Sequence, residues 1–236
     1  MTFRRFAIYY TPRPGPLAHF GAAWLGRDLA TGRPPPRPEV PGLTQDPRDL
    51  TTQPRRYGFH ATLKPPFALA PGTSQAALQQ ACKALASTLP PVVIEALTLT
   101  RMGRFLALTA TGDDGPLRDL AARVTRDLDP HRAAPEPAEL ARRRQARLSP
   151  RQEALLMRWG YPYVMEEFRF HLTLTGRLPR SEIDGVAGAL QKALAPLLDR
   201  PVTIDDLTLV GEDHQGDFHS IARYALGPGP EHARPR

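Results

Sequence analysis

The sequence predicts an α+β fold that arose by internal duplication, with two antiparallel sheets, helices outside them and a central cleft. Two local repeats carry this prediction. The segment FHATL at residues 59–63 recurs as FHLTL at 170–174, and IEALTL at 94–99 recurs as IDDLTL at 204–209. The offsets are 111 and 110 residues and the order is the same. We therefore expect two α+β lobes related by a pseudo-twofold axis.

The first half of the chain alternates strand and helix signals, each bounded by proline, glycine or a capping residue. Aromatic and β-branched residues predict a strand over 3–10, and apolar residues at helical spacing predict a helix over 17–29. The proline-rich segment 31–56 is predicted to be a long loop. The remaining predicted elements of this half are a strand at 57–63, a helix from residue 73 or 74 to 89, strands at 92–101 and 104–111, and a helix at 117–128.

The second half repeats the order strand, helix, strand, strand after a helical connector. The connector predicts helices at 138–147 and 150–160, the latter with Ser149 as N-cap and Gln152 completing a capping box. Strands are predicted at 168–175, 202–210 and 218–226, with a helix at 180–198. Together these elements predict a single bilobal domain over residues 1–226. Its parts are an N-terminal strand and helix at 3–29, a first motif lobe at about 57–129, the connector at about 137–160 and a second motif lobe at about 165–226. Residues 227–236 are predicted to be a disordered tail.

The composition is that of an ordinary globular chain with an excess of positive charge. The 236 residues carry a formal net charge of +7, almost all of it from arginine. Such a surface can attract phosphates or nucleic acid, but a GC-rich genome would give the same bias. A single cysteine, Cys82, excludes an internal disulfide framework and a cysteine-based zinc site. With no apolar run of membrane-spanning length and no secretory signal, we expect a cytoplasmic protein with no membrane partner.

The two repeated histidine strands each have one polar and one apolar face, because side chains alternate along a strand. The polar faces comprise His60, Thr62 and Lys64 in the first strand and Arg169, His171, Thr173 and Thr175 in the second. A pseudo-twofold axis would bring these two faces together across a cleft. We expect both imidazoles, the hydroxyls and the two cations to surround one point.

This set of residues suits a phosphoryl group. Histidine titrates near neutral pH, so that one imidazole can accept a proton while the other donates one. Threonine hydroxyls can bind nonbridging oxygens, and cations stabilise the negative charge that builds on them. The face pattern adds Lys64 and Arg169 as phosphate contacts, although each could equally be a solvated charge at a strand end. Tyr57 could stack on a base or sugar, but its parity with Phe59 favours the core.

A metal site is the main chemical rival to this interpretation. Zinc usually takes three or four ligands, whereas the two strands offer only His60 and His171. Asp213, His214, Asp217 and His219 form a more metal-like cluster, but they fall in a predicted hairpin turn that is more typical of a solvated loop. We expect no metal and no cofactor.

The two motifs resemble those of the 2H phosphoesterase superfamily, which is named for two His-x-Thr/Ser motifs in a duplicated α+β fold. The segments 56–67 and 167–176, together with residues 9–12 and 20–28, are similar to an uncharacterised bacterial family often found beside carbon–phosphorus lyase genes of phosphonate breakdown. The resemblance spans residues 3 to about 226.

The resemblance implies a metal-independent phosphodiesterase in which one motif histidine is the general base and the other the general acid. Carried over, the catalytic residues are His60, Thr62, His171 and Thr173. The gene neighbourhood implies a small phosphorylated substrate such as a cyclic ribose phosphate. Two alternatives stay open, namely the same chemistry on RNA ends, and a nucleotide- or RNA-binding module without turnover. The sequence leaves the oligomeric state and the identity of the acid and the base undetermined.

Overall fold

The computed structural model describes residues 2–227 and shows an α+β architecture. Its main sheet has seven antiparallel strands in the order β4-β5-β6-β2-β1-β8-β9, and a second sheet pairs β3 with β7. The strands are β1 (Arg5–Tyr10), β2 (Ala61–Phe67), β3 (Val92–Ile94), β4 (Leu97–Met102), β5 (Phe105–Ala110), β6 (His171–Thr173), β7 (Val202–Ile204), β8 (Asp206–Glu212) and β9 (Phe218–Ala225). The α+β prediction is confirmed, with one large antiparallel sheet and one small antiparallel sheet.

The helices lie between these strands in the predicted order. They are α1 (Pro16–Leu25), α2 (Pro47–Leu50), α3 (Gln75–Ala86), α4 (Gly115–Asp127), α5 (Pro137–Arg144), α6 (Pro150–Trp159) and α7 (Ile183–Leu198). The start of α6 forms the predicted capping box between Ser149 and Gln152, and the helix ends at Gly160 in the left-handed conformation (φ 74°). The predicted loop 31–56 contains the short helix α2 and a 3₁₀ turn at Pro54–Arg56.

The duplication is visible in two strand pairings between equivalent residues. Ala61 in β2 lies opposite Leu172 in β6, and these residues occupy the same place in the two histidine repeats. Val93 in β3 lies opposite Thr203 in β7, which again are equivalent positions in the two halves. Equivalent residues can face each other in this way only close to the axis that relates the halves, so a pseudo-twofold axis passes by both pairings.

The two sequence halves share one sheet, because a hairpin from each half pairs with a strand from the other part of the chain. Hairpin β4–β5 of the first half pairs with β6, the histidine strand of the second half. Hairpin β8–β9 of the second half pairs with β1, which in turn pairs with the first histidine strand, β2. The strand pairing therefore crosses the bounds of the two predicted lobes, at about 57–129 and 165–226. Because the hydrogen bonds of a ladder join distant segments, alternation within each strand could not reveal this exchange.

The main hydrophobic core lies on one face of the large sheet. Inward-facing residues of the strands pack there against α3, α4 and α7. Helix α1 seals one side of this core, since the fully buried Trp24 donates its indole N–H to the Leu174 carbonyl at 2.7 Å. The approach of α1 is close, because a Cβ atom at Gly21 would lie 2.0 Å from the Phe59 ring. Glycine at position 21 therefore sets the position of the segment that leads into the first histidine strand.

The opposite face of the large sheet, which we call the polar face, carries the two histidines. A small apolar cluster covers part of it, formed by Ala7, Tyr9, Leu29, Val210 and Phe218. No helix within residues 2–227 is both long and apolar enough to cross a bilayer. The predicted disordered tail at 227–236 lies outside the described residues, except for Gly227.

Candidate active site

The structure brings the two histidine motifs side by side on the polar face. The antiparallel pairing of Ala61 with Leu172 directs these two side chains into the core, where both are fully buried. Alternation then turns their neighbours to the polar face, with His60 across from Thr173 and Thr62 across from His171. The four residues that the sequence predicted as a set thus occupy the two central strands at one place.

His60 is held in a single orientation by the residues around it. Its Nδ1 lies 3.0 Å from the Gly58 carbonyl and its Nε2 lies 2.9 Å from the Thr62 hydroxyl. A carbonyl can only accept, so Nδ1 carries the proton, and Nε2 accepts a hydrogen bond from Thr62. The Tyr9 ring stacks on the imidazole with 3.5 Å between ring centroids, and the edge of Tyr57 packs against it at 5.4 Å.

Burial keeps His60 neutral. The residue is only 7% exposed, and this desolvation lowers its pKa from 6.5 to about 3, with a smaller contribution in the same direction from the nearby His171. A neutral ring whose Nδ1 is already a donor presents Nε2 as a proton acceptor. His60 therefore rests in the form that a general base needs.

His171 repeats this arrangement with more access to solvent. Its Nδ1 lies 2.8 Å from the Arg169 carbonyl, again two residues back along the chain. Its pKa is lowered by burial, but the residue is more exposed than His60 and lacks the stacked tyrosine, with Phe105 at 6.0 Å as its aromatic neighbour. Of the two imidazoles, His171 is the one that takes a charge more easily.

Threonines extend the polar face on both sides of the histidines. Thr109 lies opposite His171 in the β5–β6 pairing, and its hydroxyl is 2.6 Å from that of Thr100 in β4. On the other side, Thr11 follows β1, and its hydroxyl is 2.7 Å from that of Thr208 in β8. Each histidine is thus flanked by a pair of hydrogen-bonded threonines.

Lys64 does not reach this site, and the prediction that it shares a face with His60 is wrong. The register of β1 with β2 shifts between the pairs Tyr9–Thr62 and Ile8–Lys64, which leaves Leu63 as the extra residue of a bulge. A bulge re-aims the following side chain, so Lys64 points to the helix side of the sheet. There it is 1% exposed and donates to the Thr125 carbonyl at 2.9 Å and to Asp129 at 3.2 Å.

Thr175 is also absent from the polar face. Strand β6 ends at Thr173, and the buried hydroxyl of Thr175 accepts a hydrogen bond from the Leu106 backbone N–H at 3.0 Å. The predicted strand 168–175 is longer than the observed one, so the alternation that placed Thr175 beside His171 stops too early. Its role in the structure is to anchor the end of β6 to β5.

Tyr57 and Arg169 lie next to the histidines. The predicted strand 57–63 begins only at Ala61, because Gly58 adopts a left-handed conformation (φ 70°). The resulting turn places Tyr57 against His60 instead of in the core beside Phe59, and burial raises its pKa to about 12, partly offset by the nearby Thr173 hydroxyl. Arg169 is exposed and lines a cavity with Thr100 and Thr109.

Tyr9, which stacks on His60, is not among the residues that the sequence predicts for the site. Alternation in β1 puts Tyr9 on the face opposite Ile8 and Tyr10, but nothing in the sequence indicates that β1 pairs with β2 in this register.

The cluster of Asp213, His214, Asp217 and His219 lies at the β8–β9 turn, where Asp213 accepts from His219 at 2.8 Å. No group of three or more metal-ligating side chains occurs among residues 2–227.

Two His-x-Thr strands that meet on one face of a shared sheet in a duplicated α+β chain fit the resemblance to the 2H phosphoesterases that the motifs carry. The particular family follows from comparison with known sequences. The chain belongs to the family described as "Protein of unknown function (DUF1045)", whose profile matches residues 62–219.

Two curated relatives are named "Ribose 1,5-bisphosphate phosphokinase PhnN". The protein from Janthinobacterium sp. (strain Marseille) is 39% identical over 221 residues, which cover 90% of this chain and 48% of the relative. The protein from Laribacter hongkongensis (strain HLHK9) is 37% identical over 220 residues, which cover 93% of this chain and 51% of the relative. The chain therefore spans about half the length of these relatives.

Solved structures with a similar chain include E. coli LigT complexed with 3′-AMP, at 13% identity and a TM-score of 0.45, covering 95% of this chain and 99% of that one. Another is a phosphoesterase at 14% identity and a TM-score of 0.41, covering 96% and 99% of the two chains. Likeness at this level says nothing about substrate, so the chemistry must be argued from the site itself.

Proposed function

We propose that this chain is a phosphodiesterase that hydrolyses a small cyclic phosphate by acid–base catalysis between His60 and His171. One observation supports this more than any other: two imidazoles lie on adjacent strands of one face, each with Nδ1 tied to a backbone carbonyl two residues back. This arrangement turns the Nε2 atom of each ring away from the backbone, and in His60 that atom accepts a hydrogen bond from the Thr62 hydroxyl until a nucleophile replaces it.

The roles of the two histidines differ in the proposal. Cleavage of a P–O bond by water requires removal of a proton from the nucleophile and donation of a proton to the leaving oxygen. His60 is buried and neutral, so it is the base, and the more exposed His171 is the acid. Bound phosphate raises the pKa of both rings, because a nearby anion favours the imidazolium form. The Thr173 hydroxyl binds one nonbridging oxygen, and the Thr62 hydroxyl binds another once the substrate displaces its hydrogen bond to His60 Nε2.

The proposed substrate class is a cyclic phosphate of a small sugar. The two curated relatives are named for ribose 1,5-bisphosphate. Hydrolysis of the O2–P bond in a 5-phosphorylated ribose 1,2-cyclic phosphate yields that bisphosphate, so the proposed reaction would supply it. The proposal does not include the phosphokinase activity in that name. A Walker phosphate loop requires a lysine directly after a glycine, and none of the lysines in this sequence follows a glycine.

A screen of cyclic and linear diesters tests the proposal. It should include ribose 1,2-cyclic phosphates, nucleoside 2′,3′-cyclic phosphates and short RNA ends, each with excess EDTA. We expect turnover of a sugar cyclic phosphate, and loss of at least about 100-fold in kcat for either His60→Ala or His171→Ala. His19→Ala is the matched control, since this histidine is exposed on α1.

Other outcomes would separate the alternatives. Turnover confined to RNA, with a rate that falls steeply as salt rises, would indicate an RNA-end enzyme. Ligand binding without turnover in the wild type, with histidine variants that change only the affinity, would indicate a binding module. Activity that disappears with EDTA and returns with zinc or manganese would refute the metal-independent mechanism.

A further inference from the structure

The two threonine pairs beside the histidines differ in what surrounds them. In the pair formed by Thr11 and Thr208, the protein itself supplies a cation. Arg223 donates to the Thr11 hydroxyl and carbonyl and to Pro12, and it forms an ion pair with Asp206 at 3.1 Å. The threonine pair on this side of the site is therefore already bound to a cation of the protein.

The pair formed by Thr100 and Thr109 is open instead. These residues line a cavity of about 350 Å³ together with Arg169. When one hydroxyl of the pair donates to the other at 2.6 Å, the second O–H is left to donate to a ligand. Within residues 2–227 no carboxylate lies within 4.0 Å of the Arg169 guanidinium, so this cation has no ion-pair partner there.

The other charged side chains around the cavity are already paired. Asp114 forms an ion pair with Arg118 at 3.0 Å, and Arg101 forms one with Asp184 at 3.1 Å. The charge that remains is that of Arg169, and it is positive. A cavity with an unpaired guanidinium and a free hydroxyl donor is complementary to an oxyanion with several acceptor oxygens.

The cavity lies at a defined place relative to the catalytic pair. Thr109 is directly opposite His171 across one strand step, which is about 5 Å, and Thr100 is on the next strand. Arg169 is two residues before His171, and its carbonyl binds the His171 ring. A group bound to Thr109 therefore lies beside the strand that carries His171.

We propose that Arg169, Thr109 and Thr100 form a second phosphate subsite, which takes a phosphate monoester carried by the same substrate. This inference rests on the proposed function for its orientation, and it narrows the substrate class to cyclic phosphates with a second, terminal phosphate. Arg169 is then a specificity-determining residue that contacts the remote phosphate, in place of the contact with the reacting phosphate that the sequence predicted.

Binding measured without turnover tests the subsite independently of the reaction. The probes are α-D-ribose 1,2-cyclic phosphate and the same compound with a 5-phosphate, titrated calorimetrically into the His60→Ala variant so that neither probe is consumed. We expect the 5-phosphate to tighten the Kd by 10-fold or more. Adding Arg169→Met or Thr109→Val to this variant should remove most of the difference, whereas adding Arg177→Met, which neutralises an exposed arginine outside the cavity, should keep it.

Each result decides the subsite separately from the catalytic proposal. Equal Kd values for the two probes, or a difference that survives Arg169→Met, would overturn the subsite even if the wild-type protein hydrolyses both compounds. A phosphate-dependent difference that is lost with Arg169→Met would support the subsite even if no hydrolysis is found. Thermal melting of each variant identifies unfolded protein, and Arg169→Lys, which keeps the charge, should retain part of the preference.

Discussion

Replacing Lys64 with methionine separates the position that the sequence predicted for this residue from the position that the structure gives it. If Lys64 contacted the reacting phosphate, its loss would remove a charge-assisted hydrogen bond and lower kcat/KM by about 10- to 100-fold. In the structure the ammonium group lies on the helix side of the sheet, bonded to Thr125 and Asp129. We therefore expect Lys64→Met to change kcat/KM by less than about twofold.

The same variant should change how stability depends on pH. Burial lowers the pKa of Lys64 from 10.5 to about 8, and Asp129 recovers only part of the lost solvation. At about 1.4 kcal/mol per pH unit, this fall makes the free energy of unfolding about 3 kcal/mol smaller below pH 8 than it would be above pH 10.5. Since the unfolded chain holds the proton up to about pH 10.5, the contribution of Lys64 to stability rises between pH 8 and 10.5.

Urea denaturation from pH 7 to 10.5 measures this effect. The free energy of unfolding of the wild type, minus that of Lys64→Met, should rise by about 1.4 kcal/mol per pH unit above pH 8. Near pH 7 we expect the variant to be about as stable as the wild type, because Asp129 keeps its ion pair with Arg132. Lys83→Met, which alters an exposed lysine of α3, is the matched control and should give a flat difference. A flat difference for Lys64→Met as well, or a large loss of activity, would refute the structural role.

Three further predictions concern the site. The base His60 must be neutral and the acid His171 must be protonated, and the pKa of His171 is lowered below 6.5. We therefore expect kcat/KM to fall up to tenfold per pH unit between pH 6.5 and 8.5. A constant kcat/KM over this range would contradict the assignment of acid and base. Tyr57→Phe removes a phenol beside the threonine of the second motif and should lower kcat about two- to tenfold with little change in Tm, whereas an unchanged kcat would exclude a role for the hydroxyl. Gly21→Ala should cost about 1–3 kcal/mol in urea denaturation, since its Cβ would overlap the Phe59 ring, and a cost below about 0.5 kcal/mol would show that α1 shifts freely.

The helices were predictable because their signals are local. The capping box at Ser149 and the glycine stop at Gly160 depend on residues within a few positions of each other. The placement of His60 and His171 on one shared face was also predictable, since it required only two repeated motifs and the assumption that duplicated halves face each other. Neither the helices nor the shared face of the two motifs required knowledge of which distant strands pair.

The failures in the candidate site have one physical cause, which is that alternation holds only inside an unbroken strand. The bulge at Leu63 re-aims Lys64, the left-handed Gly58 turns Tyr57 toward His60, and the end of β6 removes Thr175 from the polar face. Each interruption depends on what the neighbouring strand or turn imposes on the backbone. The sequence of a single strand does not show these constraints.

By itself, the sequence determined the duplicated α+β class, the helix boundaries to within a few residues and the two histidine–threonine motifs, because periodicity, caps and repeats are written in neighbouring residues. Only the tertiary structure decided the strand order, the exchange of hairpins between halves and the neighbours of each histidine. Those features depend on hydrogen bonds between segments far apart in the chain, such as β8 with β1 and β5 with β6. The open threonine pair beside Arg169 exists only because β4 and β5 of one half lie against the histidine strand of the other.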